Sequence, residues 1–168
     1  MKNKVIIIGL ILFVIVGIWF YKNRKSIDDV EIRKVDYTFK LEITKLDLEE
    51  LKSYGLPIIL DFGADGCPAC DTMMPYLVEL NKEMQGKALI KTMDVWKHPE
   101  LAKGYPVELI PTQFFFYSDG TPYIPEQIED LELEIIKDDG GKHILTKHVG
   151  ILTVEQMKQI LKEMGIDG

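Results

Sequence analysis

The sequence predicts an α/β layered fold, and two stretches carry that expectation. Residues 56–62 (Leu-Pro-Ile-Ile-Leu-Asp-Phe) are an almost unbroken apolar run of strand length, as in a strand covered on both faces. Residues 67–85 follow directly, with Met73, Met74, Leu77, Leu80 and Met84 at helical spacing, more like a buried helix face than a set of ligands. A covered strand that runs into an amphipathic helix belongs to a sheet flanked by helices.

Taken in order, residues 1–4 form a short tail and residues 5–21 an apolar segment without a charge. Lys2 and Lys4 precede it, and Lys22, Arg24 and Lys25 follow. No polar face exists to suit a soluble helix, and bulky Trp19, Phe20 and Tyr21 stand where signal cleavage needs small residues. An uncleaved single-pass transmembrane anchor is expected, with a cleaved signal peptide as the alternative. Positive charge is balanced across the segment, so it does not orient it; a short N-terminal tail usually stays inside, which places the rest outside the cytoplasm. Residues 22–34 read as a charged juxtamembrane linker, and one domain spans 35–168, since about 130 residues suffice for a single core.

Within that domain, residues 36–43 alternate, with Tyr37, Phe39, Leu41 and Ile43 on one side, and read as a first strand. Asp47 and Glu50 form a capping-box-like start to a short helix that Gly55 stops. After the 67–85 helix, which Pro75 should kink, residues 87–95 read as a strand, 99–103 as a helical turn and 112–117 as an aromatic strand. Residues 121–147 hold an alternating segment, an Asp138-Asp139-Gly140-Gly141 turn and a second strand, an extra hairpin. Thr153 is the expected N-cap of a final helix to residue 164.

Cys67 and Cys70 are the only cysteines. With Cys67 as N-cap, Pro68 falls at the first helical position, where its missing N–H is no loss. The free N–H groups of Ala69 and Cys70 then face the Cys67 sulfur, and with the helix dipole they favour a thiolate, so Cys67 is expected to be the acidic, exposed nucleophile and Cys70 the shielded resolving thiol. Asp61, inside the apolar run, suits a proton acceptor for Cys70; alternatively it ends the strand in solvent. By spacing alone the pair also fits half a zinc site or a structural disulfide.

With its flanks, the motif resembles the thioredoxin family. Residues 59–70 are similar to that family's strand, buried Asp and active-site motif, Pro75 matches its helix proline, and Ile110-Pro111-Thr112 resembles its cis-proline loop. The likeness runs over roughly residues 46–165 and implies the thioredoxin fold, a central mixed sheet flanked by helices. It implies a thiol–disulfide oxidoreductase with no cofactor beyond the Cys67–Cys70 disulfide, in which Gly66, Pro68, Ala69, Ile110 and Pro111 border the substrate. Tethered members work in the bacterial envelope on disulfide-containing exported proteins, and a reductant among them needs a transmembrane thiol carrier as partner.

Three departures bear on the chemistry. Gly66 stands where the family usually carries Trp, and Thr92 replaces a lysine often found near the buried Asp. The dipeptide Pro68-Ala69 lacks a histidine, which favours a reducing or intermediate potential, and Asp65 and Asp71 push the same way. A soft-metal module holding Cu(I) or Zn(II) on the same cysteines is the alternative function, and a binding protein with a relic site a third. No resident metal site is expected. A net charge of −7 without a basic patch argues against nucleic acid. His98, His143 and His148 read as surface residues.

Overall fold

The computed structural model describes residues 13–19, 38–126 and 131–166. Residues 13–19 are helical and exposed; the rest of the expected 5–21 anchor, the 1–4 tail and the 22–34 linker lie outside the described residues. Among those described, no helix is long and apolar enough to cross a membrane.

Residues from Phe39 onward form a compact unit of their own. Its strands are β1 (Ile58–Gly63), β2 (Leu89–Asp94), β3 (Thr112–Phe116), β4 (Leu133–Lys137) and β5 (His143–Val149). Its helices are α1 (Leu48–Lys52), α2 (Pro68–Glu83) and α3 (Val154–Glu163), with a 3-10 turn at Pro99–Ala102. The strands make one mixed sheet in the order β2-β1-β3-β5-β4, in which β1 and β2 run parallel and the other pairs antiparallel.

Burial on both faces explains the apolar run in β1. Ile59, Ile90 and Phe115 pack under Met73, Leu77 and Leu80 of α2 and Met157, Ile160 and Leu161 of α3. On the opposite face Ile58, Leu60, Phe62 and Phe114 meet Leu48 and Leu51 of α1 and Leu101 of the 3-10 turn. Each buried aliphatic or aromatic side chain contributes about 2 kcal/mol, so both layers are needed to hold the sheet. Thr153 caps α3 in a reciprocal capping box with Gln156.

The strand expected at 36–43 does not form among its described residues. An isolated parallel bridge, Glu42 to Thr92, and a hydrogen bond from Lys91 Nζ to the Lys40 carbonyl join this stretch to β2. Leu41 packs with the α2 and α3 layer while Phe39 and Ile43 pack with the other, so the segment straddles the sheet edge instead of presenting one side.

The extra hairpin is present as β4 and β5, closed by a turn in which Asp138 Oδ1 accepts the N–H groups of Gly140 at 3.0 Å and Lys142 at 2.9 Å. β5 returns beside β3, which leaves β4 as an added edge strand.

Candidate active site

The turn out of β1 delivers both cysteines to the start of α2. Asp94, at the end of β2, accepts the Asp65 N–H at 3.2 Å and ties this turn down. Gly66 has φ +80°, and a Cβ built there would meet nothing within 4 Å, so backbone conformation and not crowding favours glycine. Cys67 is the N-cap, Pro68 opens the helix, and the Cys70 N–H points at the Cys67 sulfur at 3.4 Å. The sulfur therefore takes the place of a capping oxygen.

Cys67 and Cys70 are joined as a disulfide, with Cα atoms 5.2 Å apart. Exposure does not separate them as expected, because each is 7 % exposed. Their surroundings do. The Cys67 sulfur lies 3.8 Å from the Ile110 carbonyl oxygen, beside the cis Ile110–Pro111 bond. The Cys70 sulfur instead borders the space above Gly63, where a point 3.5 Å from it is also 3.5 Å from Asp61 Oδ2.

Asp61 is 2 % exposed, which excludes the solvated alternative. Thr92 Oγ1 donates to its Oδ2 at 2.8 Å and Gln113 Nε2 to its Oδ1 at 2.9 Å. Burial outweighs both donors, and the carboxyl is pushed up to about 6. A cleft of about 270 Å³, bordered by Asp61, Gly63, Cys70, Thr92, Asp94 and His98, connects this region to the surface. Thr92 thus contributes a neutral hydrogen bond at the buried acid. Asp65, whose charge was expected to act on Cys67, is paired with Lys97, which also meets Asp94 at 3.3 Å.

His148 is not a surface residue as expected: it is 8 % exposed, and its Nδ1 lies 2.8 Å from Gln113 Oε1. His143 is half-buried, with Nε2 3.0 Å from the Leu145 carbonyl, and His98 lies at the cleft mouth. Gln113 was not singled out either; its one signal is a lone amide within an aromatic strand. Gly66 and Pro68 are exposed beside the disulfide, Ala69 is half-buried, and Pro111 is buried. Among the described residues no group of three or more His, Cys, Asp or Glu side chains could hold a metal ion.

A helix-capping disulfide with a sequestered acid on one side and a cis-proline loop on the other defines a dithiol–disulfide exchange centre. The thioredoxin family profile matches residues 48–138. Thioredoxin of Rickettsia conorii is 32 % identical over 82 residues, 49 % of this chain and 70 % of that protein. Thioredoxin H4 of Arabidopsis thaliana is 29 % identical over 102 residues, 59 % of this chain and 85 % of the relative. A solved poplar thioredoxin h shares the fold at TM-score 0.53 and 20 % identity, covering 76 % of this chain and 97 % of that one. The chain belongs to the thioredoxin family and is a thiol–disulfide oxidoreductase.

Proposed function

We propose that this oxidoreductase is tethered to a bacterial cell membrane by residues 5–21, through a linker at 22–34, and that its domain faces out of the cytoplasm to reduce or exchange disulfides of exported proteins. The uncharged apolar segment between basic flanks supports the tether. In the reaction, the Cys67 thiolate attacks a substrate disulfide, forming a mixed disulfide and releasing one substrate thiol. Cys70 then gives its proton to Asp61 and attacks the Cys67 sulfur, which frees the second substrate thiol and leaves the Cys67–Cys70 disulfide. Two electrons pass to the substrate and must be restored by an external thiol donor, for which a transmembrane thiol carrier is the fitting class.

The observation that carries this reading is the division of surroundings between the sulfurs, Cys67 against the Ile110 carbonyl and Cys70 against the Asp61 gap. The Ile110 backbone and the exposed Leu109 offer an extended substrate a hydrogen-bonding edge and an apolar contact. Cu(I) or Zn(II) on the same pair would find two sulfurs and, among the described residues, no grouped further ligands. The test is insulin-disulfide reduction: Cys67→Ser is expected to abolish it, and a Cys67→Ser protein of full activity would end the reading.

A further inference from the structure

Four neighbouring strands place a polar side chain at the same level of the sheet, on the face that α2 and α3 cover. Thr92, Asp61, Gln113 and His148 stand side by side in the β2-β1-β3-β5 register. They are joined in a row: Thr92 Oγ1 donates to Asp61 at 2.8 Å, Gln113 Nε2 to Asp61 at 2.9 Å, and Gln113 Oε1 meets His148 Nδ1 at 2.8 Å.

The row has a direction that its chemistry fixes. Gln113 is fully buried, and around its Nε2 stand the Asp61 carboxylate, the Gly150 carbonyl at 3.2 Å and the Met73 thioether at 3.3 Å. With Asp61 ionised all three accept and none donates, so turning the amide round would set its oxygen against them. Its Oε1 must therefore face His148 and needs a proton there. Only an Nδ1–H ring supplies it, which settles the tautomer.

We infer that His148 is a positioning residue for the thiol exchange: its Nδ1–H bonds the buried Gln113 Oε1 and locks the amide in place, at the distance from which Nε2 donates to the Asp61 carboxylate. This rests on the reading of Asp61 as proton acceptor for Cys70. Without the lock, Asp61 keeps its burial and loses a partner that favours its ionised form. Glu132 is the charge that reaches His148, and it favours the protonated ring; burial acts against it more strongly and holds the ring below its usual range. Lys147 pairs with Glu134 at 3.1 Å. Protonation of His148 leaves Nδ1–H in place, so the lock does not depend on the charge of the ring.

The experiment follows the Asp61 carboxyl directly, by carbon-13 NMR titration of the oxidised full chain, with the signal assigned by its loss in Asp61→Asn. His148→Leu and Gln113→Leu are each expected to raise its midpoint by about one pH unit. The double variant should raise it no further. His148→Asn, which keeps an N–H where Nδ1 stood, should stay near wild type. An unchanged midpoint in His148→Leu, or an equal rise in His148→Asn, would overturn the inference. Nitrogen-15 spectra of the wild-type imidazole need no variant: a proton on Nδ1 is expected, and a neutral ring protonated on Nε2 would overturn it. Loss of insulin reduction by the wild-type protein would instead end the oxidoreductase reading and move neither spectrum.

Discussion

At Asp61 burial and hydrogen bonding oppose each other, and burial wins. A carboxyl whose folded value is about 6, against about 3.9 in an unfolded chain, favours the folded state while protonated. That stabilisation is complete below the unfolded value and is lost as pH rises through about 6, a swing of about 3 kcal/mol. Replacing Asp61 by Asn removes the buried charge but turns one amide hydrogen toward a donor, so part of the gain is lost. Urea unfolding of the oxidised protein should find Asp61→Asn more stable than wild type by about 2 kcal/mol at pH 8 and no more stable at pH 4. A pH-independent difference would contradict the assignment. The same substitution should slow resolution of the mixed disulfide about 100-fold in stopped-flow measurements, because in the proposed reaction Asp61 takes the Cys70 proton.

Among the elements, the start of α2 carries the chemistry and follows from residue types alone. A sulfur can cap a helix as an oxygen does, Pro68 suits the first turn, and Gly66 supplies the positive φ that lets the chain enter. Gly66→Ala should therefore destabilise the protein by about 1 kcal/mol although space is open, read as a lower urea midpoint. At the other end of the chain, Thr153→Ala removes one arm of the α3 capping box and should cost about 1 kcal/mol. These local devices were legible because each depends on residues within one turn. The 36–43 strand was misread for the converse reason. Its alternation is real, but two cores compete for its side chains at the edge of β2, and periodicity does not say which core each one joins.

In the whole molecule the sheet register decides what meets Asp61. Thr92, Gln113 and His148 come from three other strands, 31, 52 and, through Gln113, 35 residues removed along the chain. The cysteines, the acid and the proline loop could be found in sequence, because a family resemblance preserves their order. The Gln113–His148 link could not, because nothing local marks which residues of β3 and β5 stand opposite β1. The proposed tether concerns the whole chain and is tested at that scale. The protein should sediment with membranes, and its reduced thiols should react with an impermeant maleimide in intact cells; labelling only after lysis would place the domain on the other side.

The central claim is that Cys67 attacks and Cys70 resolves. Cys70→Ser, mixed with a disulfide-containing protein and quenched with acid, should accumulate a mixed disulfide that peptide mass spectrometry places on Cys67. Rapid turnover by Cys70→Ser without a trapped adduct, or an adduct that forms on Cys70 in Cys67→Ser while the exchange proceeds, would contradict it.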